Sequence, residues 1–258
     1  MLVKILKSKG YNRIIEDDMF ILAEGELPVC LIAHTDTVFS RPPSAFFFDK
    51  EKTTLWSPQG LGSDDRAGVY AILRLLDRGY KPSILFTDLE EQGCIGAGSV
   101  VNYFAKCPFE DCKALIQLDR RGSRDSVYYD CSNDEFEDKI NSYGFITNWG
   151  TFTDISVIAP AWGIAAVNLS VGYQNEHSIA EYVNMRQLEN TIEKVSKMLD
   201  DINEWSSYKY IHAAQLTFTN NWLSLESCVC CGKRLMKNEG HLDHGFRICN
   251  KCYDELFK

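Results

Sequence analysis

The apolar residues of this chain fall into two alternating patterns. Short apolar runs rich in β-branched residues predict buried strands, while apolar residues three or four positions apart predict helices. The predicted strands are residues 28–38, 83–91, 114–119 and 163–172. The predicted helices are residues 64–79, 96–106, 132–144, 154–163 and 184–205. Because helices alternate with strands, we expect an α/β fold with a mostly parallel sheet sandwiched by helices.

Two of the predicted helices carry signals at or near their ends. Ser132 or Asn133 is positioned to cap the helix at 132–144, since both side chains can accept a backbone hydrogen bond. Pro160 is expected to break the helix at 154–163, because proline cannot donate the backbone hydrogen bond of a helix interior.

The length of 258 residues is enough for one large domain and a small module. The alternating pattern ends with the helix at 184–205, so we place the large domain at residues 1–205. The aromatic-rich residues 206–227 are predicted to link or dock the two parts. Residues 228–258 then form the small module.

Charge and hydropathy narrow the classes of partner. A net charge of −9 and a pI of about 5.1 leave no basic surplus to displace counterions from phosphates, so nucleic acid is not expected. No apolar run approaches membrane-spanning length, and the first residues lack the apolar core of a signal peptide. We therefore expect a cytoplasmic protein without a membrane partner. The sequence carries no signal for an oligomeric state.

Side chains able to bind a metal ion lie toward or just after the carboxyl ends of the predicted strands, at the edge where ligands bind in open α/β sheets. They are His34, Asp36, Glu90, Glu91, Asp119 and His177, joined by Asp64 and Asp65 in a glycine-rich loop that enters a helix. Taken singly, each has a plainer interpretation as a structural histidine, a solvated loop or a helix cap. Their coincidence at one edge of the sheet predicts a metal site instead.

The residue types of this group suit a pair of zinc ions. Imidazole nitrogens and carboxylate oxygens both bind zinc, and one aspartate can bridge two ions with its two oxygens. Two ions about 3.5–4 Å apart can hold a hydroxide and polarise a substrate carbonyl. Because adjacent residues of a strand point opposite ways, Glu90 and Glu91 at the end of the second strand are expected to face different directions. One would then bind metal and the other would transfer protons.

Five segments resemble, in order, the motif series of the co-catalytic dizinc exopeptidases, a superfamily that includes aminopeptidases, peptidase T-like tripeptidases and carboxypeptidases. The segments are AHTDTV, GLGSDDRAG, LEEQGCIGAG, LDRRG and NEHS, within roughly residues 28–200. The resemblance implies two catalytic zinc ions with the ligands His34, Asp64, Glu91, Asp119 and His177. It further implies that Asp64 bridges the ions beside a cis peptide bond to Asp65, that Asp36 orients His34, and that Glu90 is the general base.

This chain departs from the carboxypeptidase branch of that superfamily. Only about 58 residues separate Asp119 from His177, which is too few for the inserted lid or dimerisation domain of that branch. The resemblance places Thr153 and Asp154 near the substrate, although a helix cap is the plainer interpretation of Asp154.

Two arginines directly follow a predicted metal ligand. Arg120 and Arg121 come immediately after Asp119, so at least one should lie near the metal site. They would either bind a carboxylate of the substrate or pair with a carboxylate of the protein surface.

The C-terminal module contains two Cys-x-x-Cys pairs separated by 17 residues. This spacing predicts a small zinc ribbon, with each pair on a tight knuckle and one structural zinc ion between them. Its four ligands are Cys228, Cys231, Cys249 and Cys252, and further candidates are Cys230, His241 and His244. Because so small a module buries little core, the metal must supply much of its folding energy.

The sequence thus predicts a zinc-dependent peptidase or amidohydrolase, most simply a dizinc exopeptidase acting on small peptides. A deacylase that uses the same site on acyl-amino acids is the alternative within the enzymes. A non-catalytic scaffold that binds a partner through the zinc ribbon is the alternative outside them. Metal content separates the classes, with about three zinc ions per chain for the enzyme and about one for the scaffold.

Overall fold

The computed structural model of the chain describes residues 1–129, 133–211, 226–227, 234–235, 240–243 and 246–257. Its main feature is a mixed eight-stranded sheet. In spatial order the strands are β1 (Ile14–Glu16), β2 (Phe20–Ala23), β6 (Pro82–Thr87), β3 (Leu27–His34), β7 (Leu115–Arg120), β10 (Ala166–Ser170), β8 (Asp125–Val127) and β9 (Ile146–Asn148). The four central strands β6, β3, β7 and β10 are parallel, as the sequence predicts.

Helices cover both faces of this sheet. One face packs against α1 (Leu2–Ser8), α2 (Ser63–Asp77), α4 (Asp134–Ser142) and α6 (Met185–Asp201), and the other against α3 (Ile95–Tyr103) and α5 (Asp154–Trp162). Along β3, Leu31 and Ala33 join the first core while Cys30 and Ile32 join the second, as the two-residue period of a strand requires. Burial on both faces explains why the central strands appear in the sequence as continuous apolar runs.

A second, antiparallel sheet of four short strands lies beside the first. It contains β11 (Tyr173–Gln174), β12 (Tyr182–Asn184), β5 (Thr54–Trp56) and β4 (Phe47–Phe48). The sequence does not predict it, because two or three residues are too few to show a period of two. This sheet matters for the candidate site because the connection from β11 to β12, residues 175–181, contains His177.

The strand β6 is shorter than predicted. It ends at Thr87, and Leu89 takes up a left-handed backbone conformation with φ of +57°. Glu90 and Glu91 therefore lie in a turn, so the alternation of a strand does not set their directions. A residue in the left-handed conformation changes the direction of the chain within one position. The apolar run and the carboxylates that follow it give no sign of this change in the sequence.

Pro160 does not break α5, contrary to expectation. The helix runs through Pro160 to Trp162 and ends where Gly163 takes φ of +69°. Proline removes one hydrogen bond, but Ile158, Ala159 and Trp162 are buried on both sides of it and hold the last turn in place. In α4, Asn133 is the cap, since its side chain accepts the N–H of Phe136.

The residues that follow α6 remain in contact with the large domain. After α6, the 3₁₀ turn Ile202–Glu204 leads to Trp205, which is buried in the core. The N–H of Tyr208 then donates to Lys113 O, and that of Tyr210 donates to Gly163 O. Residues 206–211 are thus docked on the large domain.

The described residues after 211 form two short antiparallel strand pairs and a helix. These are β13 (Glu226–Ser227) with β14 (Arg234–Leu235), β15 (His241–Asp243) with β16 (Phe246–Ile248), and α7 (Asn250–Phe257). The His241 ring stacks on that of Tyr253 with 3.7 Å between the ring centroids.

The prediction that the second cysteine pair sits on a knuckle is wrong. Cys249 is buried directly before α7, and Cys252 lies in the first turn of that helix. A spacing of three positions suits a helical turn as well as a knuckle, so the spacing alone does not distinguish them. The predicted ligands Cys228 and Cys231, with the further candidates Cys230 and His244, lie outside the described residues.

None of the helices in the described ranges is both long enough and apolar enough to cross a membrane.

Gly68 allows the first turns of α2 to approach β7 closely. A Cβ atom at this position would lie 1.8 Å from Leu118 O and 2.5 Å from Asp65 Oδ1, whereas one at Gly98 in α3 would meet nothing within 4 Å. We predict that Gly68→Ala lowers the free energy of unfolding by about 1–3 kcal/mol through overpacking. Gly98→Ala should raise it by about 0.5–1 kcal/mol, because alanine favours the helix.

Chemical denaturation of the two variants checks this pair of expectations. A Gly68→Ala protein as stable as the Gly98→Ala protein would contradict the close packing of α2 on β7.

Candidate active site

The carboxyl ends of β6, β3 and β7 meet at one edge of the main sheet. His34 ends β3, Glu90 and Glu91 follow β6, Asp119 lies in β7, and His177 follows β11. An open cavity at this edge is lined by all of these except His34, which is buried. The structure therefore brings together the side chains that the sequence places at strand ends.

Asp64 lies between two histidines. Its Oδ1 is 3.1 Å from His34 Nε2, and its Oδ2 is 3.2 Å from His177 Nε2. Each histidine faces a second carboxylate, with Asp119 Oδ1 3.5 Å from His34 Nε2 and Glu91 Oε1 2.9 Å from His177 Nε2. The result is two similar groups, each with one imidazole and two carboxylate oxygens, joined through Asp64.

Asp36 ties the end of β3 to the turn after β6. Its Oδ1 is 3.2 Å from His34 Nδ1 and accepts the N–H of Glu90 at 3.0 Å. Its Oδ2 accepts the N–H of Glu91 at 3.2 Å. With Nδ1 of His34 taken by Asp36, the Nε2 atom is left to face Asp64 and the rest of the site.

A buried carboxylate that the sequence does not single out holds the loop of Asp64. Glu181 is 1% exposed and accepts the N–H of Gly62 at 2.5 Å and that of Asp64 at 3.0 Å. Its only signal in the sequence is a glutamate shortly after His177, which is too weak to assign a role. The peptide bond from Asp64 to Asp65 is cis, as the resemblance implies.

Asp65 holds backbone groups. It is fully buried, and its oxygens accept the N–H of His34 at 3.2 Å and that of Gly68 at 2.9 Å. Its ligand atom also lies within 4.8 Å of those of His34 and Asp119. Because both oxygens are occupied by backbone hydrogens, we assign Asp65 to joining β3 with α2.

Asp119 is surrounded by hydrogen-bond donors. Gln117 Nε2 and Thr153 Oγ1 donate to Oδ2 at 2.8 and 2.9 Å. The Tyr173 hydroxyl lies 3.2 Å from Oδ1, and Asn168 Oδ1 accepts the backbone N–H of Asp119 at 2.9 Å. Of these residues only Thr153 is singled out by the sequence. The others come close to Asp119 only in the folded chain, so no sequence pattern indicates them. Thr153 lines the cavity, but its hydroxyl is committed to Asp119.

Asp154, the other residue predicted to lie near the substrate, does not line the cavity. It is fully buried, the Thr87 hydroxyl donates to its Oδ2, and burial raises its pKa to about 6. Its interpretation as a helix cap is also wrong. The capping residue of α5 is Thr153, whose N–H donates to Ser156 Oγ at 3.0 Å, so Asp154 is already the first residue of the helix.

The two arginines line the cavity and are both engaged with the protein. Arg121 Nη1 lies 2.8 Å from Glu176 Oε1, which is the surface pairing considered from the sequence. Arg120 Nη2 donates to Trp149 O at 3.1 Å, and its Nε is 3.8 Å from Asp125 Oδ2. Neither pairing removes the guanidinium group from the wall of the cavity.

The crowded charges shift one another's pKa values. Burial, with Asp119 next, raises the pKa of Glu90 to about 8, and burial with Asp64 raises that of Glu91 to about 7. The hydrogen bond to Asp64 raises the pKa of His177 to about 9. Burial lowers the pKa of His34, but the carboxylates around it outweigh burial and raise that pKa well above normal. Bound protons thus relieve the repulsion among these carboxylates.

The donor set suits a divalent metal ion. The ligand atoms of His34, Asp64 and Glu91 lie within 4.8 Å of one another. Imidazole nitrogen and carboxylate oxygen are ligands of zinc, and a bound cation would displace the protons that the site otherwise holds.

Glu181→Gln tests whether the buried Glu181 carboxylate controls this donor set. The glutamine amide has only one oxygen to accept a hydrogen bond, so its NH₂ group would face one of the two backbone N–H groups, of Gly62 or Asp64, that now donate to Glu181. The loop that carries Asp64 should therefore loosen. We expect zinc affinity to fall about 10–100-fold, as for other supports of metal ligands. Chelator competition measures it, with Glu189→Gln on the exposed face of α6 as control. Unchanged affinity would contradict the role of Glu181.

No family model matches the sequence, and no curated protein matches it. Solved structures do match its fold. A tripeptidase from Staphylococcus aureus is similar with a TM-score of 0.63 at 14% identity, covering 79% of this chain and 92% of that one. The aminopeptidase PepT from Bacillus cereus is similar with a TM-score of 0.59 at 14% identity, covering 78% and 91%.

A third solved structure is glutaminyl cyclase from Porphyromonas gingivalis. It has a TM-score of 0.51 at 17% identity and covers 78% of this chain and 87% of that one. The chain therefore has the fold of these enzymes, which confirms the fold implied by the sequence motifs.

Proposed function

We propose that this chain is a dizinc metallopeptidase that cleaves an amide bond of small peptides. The observation that carries the proposal is the position of Asp64, whose two oxygens face two different histidines. Each histidine also faces a carboxylate of its own, Asp119 or Glu91. This duplication is unnecessary for a structural ion pair, whereas it matches the ligands of two dications that share one carboxylate.

The residues of the two groups would hold the ions. His34, Asp119 and one oxygen of Asp64 would bind the first zinc, and His177, Glu91 and the other oxygen of Asp64 the second. Three protein ligands per ion leave a position open, as in catalytic rather than structural zinc sites. When bound, such ions polarise the substrate carbonyl and lower the pKa of the attacking water.

Glu90 is the residue positioned to transfer the proton. It lines the cavity, and its N–H is fixed by Asp36 at 3.0 Å, while the imidazoles are engaged with other carboxylates. Its carboxylate takes a proton from water as the water oxygen bonds to the carbonyl carbon. When the carbon–nitrogen bond breaks, Glu90 returns that proton to the leaving amine, so water and amide become acid and amine.

Two observations support a small peptide as substrate. The similar structures include a tripeptidase and an aminopeptidase. The cavity is lined by carboxylates and by Arg120 and Arg121, which offers partners for both charged ends of a short peptide. An acyl-amino acid presents the same free carboxylate, so a deacylase that uses the same residues is the second candidate. A scaffold without activity would have no use for Glu90.

We also propose that four of the five cysteines of the C-terminal module, Cys228, Cys231, Cys249 and Cys252, bind one structural zinc. Cys249 is buried directly before α7, and Cys252 lies three positions further along the chain. A module of this size has little core of its own, so zinc would supply much of its stability.

Glu90→Gln tests the catalytic proposal. The amide keeps the size of the side chain but cannot accept a proton, so kcat should fall about 10²–10⁴-fold. Zinc content and melting temperature should stay as in the wild type. Turnover is measured on a panel of dipeptides, tripeptides and N-acyl amino acids.

The matched control for this experiment is Glu110→Gln, an exposed glutamate in the loop before β7. It should keep wild-type turnover. A folded, zinc-loaded Glu90→Gln protein with wild-type turnover would sink the assignment of the base.

A second prediction concerns the end of the peptide that the cavity binds. If Arg120 or Arg121 binds the free carboxylate of a tripeptide, its C-terminal amide should show a lower kcat/KM. A charge-assisted hydrogen bond contributes roughly 1.5–3 kcal/mol, which is about ten- to a hundredfold. Arg120→Ala or Arg121→Ala should lower kcat/KM for the tripeptide with a free carboxylate by the same factor. Neither substitution should change kcat/KM for the C-terminal amide.

Steady-state kinetics on the acid and the amide measure this difference. Equal kcat/KM values for both in the wild type would mean that neither arginine binds a carboxylate, and would favour an aminopeptidase.

A further inference from the structure

Four of the residues that line the cavity of the candidate active site carry a hydroxyl or amide group: Tyr129, Thr153, Asn168 and Tyr173. A substrate carbonyl oxygen needs a hydrogen-bond donor, so the relevant question is which of these groups has a hydrogen to offer. Thr153 donates to Asp119 Oδ2 at 2.9 Å, and Tyr173 donates to Asp119 at 3.1 to 3.2 Å. Neither of these two hydroxyls is available.

Asn168 is also fully engaged. Its Oδ1 accepts the backbone N–H of Asp119, which fixes the orientation of the amide. Its Nδ2 then donates to Asp119 O at 3.0 Å and to the hydroxyl of Tyr129 at 3.1 Å. Tyr129 is therefore the acceptor in that contact, and its own hydrogen has no acceptor among the described residues.

The Tyr129 side chain is held in place by packing on Gly150 and by the hydrogen bond from Asn168. A Cβ atom at Gly150 would lie 2.9 Å from Tyr129 Cε1 and 3.2 Å from its hydroxyl oxygen, so the ring packs directly on the Gly150 backbone. Tyr129 itself has φ of +49°, a left-handed conformation that costs energy for a bulky residue and is concentrated at functional sites. Burial, with Asp119 next, raises the pKa of Tyr129, so the hydroxyl keeps its proton at neutral pH.

We propose that Tyr129 is a catalytic residue that donates its phenolic hydrogen to the carbonyl oxygen of the scissile amide. This inference rests on the proposed function. As the water oxygen bonds to the carbonyl carbon, the carbonyl electron pair moves onto its oxygen, and the Tyr129 hydrogen bond strengthens with that charge. When the carbon–nitrogen bond breaks, the pair returns, and the tyrosine keeps its proton throughout.

The neighbouring cations are less suited to this task. Arg121 pairs with Glu176 at 2.8 Å, and Arg120 donates to Trp149 O at 3.1 Å. Within the described ranges the Tyr129 hydrogen meets no acceptor, and its ring is already positioned, so no described partner has to be displaced. Donors fixed before the reaction lose no energy in reorienting during it.

Tyr129→Phe tests the proposal, because it removes the hydroxyl and keeps the ring that packs on Gly150. With the best peptide of the substrate panel, kcat should fall about 10²–10³-fold, while KM and zinc content change little. The affinity of a phosphinic analogue of that peptide, which mimics the tetrahedral state, should fall by the same factor in calorimetry. The affinity of the product amino acid should not change.

Tyr80→Phe is the matched control, since the Tyr80 hydroxyl bonds Asp200 Oδ1 at 2.8 Å near the far end of α2. It should leave kcat and phosphinate affinity unchanged. A loss in Tyr129→Phe that appears only in KM or in zinc content would overturn the proposal, as would a kcat within threefold of the wild type. Glu90→Gln distinguishes failure of the Tyr129 proposal from failure of the proposed peptidase function. If Glu90→Gln is inactive while Tyr129→Phe is fully active, only the role of Tyr129 is refuted. A wild type that cleaves no amide refutes both.

Discussion

Repulsion among carboxylates at one edge of the sheet is the constraint on which the rest of this site depends. Asp64, Glu91 and Asp119 converge there because β3, β6 and β7 end side by side and the loops beside them fold inward. Burial, with the charge of Asp64 next, raises the pKa of Glu91 to about 7. Two dications would remove the repulsion and turn the same oxygens into ligands. The same bound ions would therefore both stabilise this edge of the sheet and enable catalysis there.

The sequence was sufficient for the parts of the fold that are buried on both faces. The strands β3, β6, β7 and β10 appear as continuous apolar runs, and α2 and α6 show a clear helical period. The candidate site could be grouped from the sequence for a related reason. Parallel strands deliver their carboxyl ends to one edge, so residues that follow separate strands meet without any contact being known.

The rest depends on contacts that no local pattern contains. The short strands β4, β5, β11 and β12 carry no measurable period, yet the connection between β11 and β12 places His177 and Glu181 at the site. Asn168 fixes both Asp119 and Tyr129 from β10, which only the folded chain makes visible. Pro160 shows the opposite failure, since packing on either side of it outweighs a strong local signal.

Diffraction at the zinc absorption edge from crystals of the zinc-loaded full chain locates each bound ion and so tests whether Asp64 lies between two of them. We expect two anomalous peaks roughly 3.5–4 Å apart, one beside each oxygen of Asp64, with His34 and His177 on opposite sides. A third peak should lie beside Cys249. A single peak at the edge of the sheet, or a peak at Cys249 alone, would contradict the dizinc assignment.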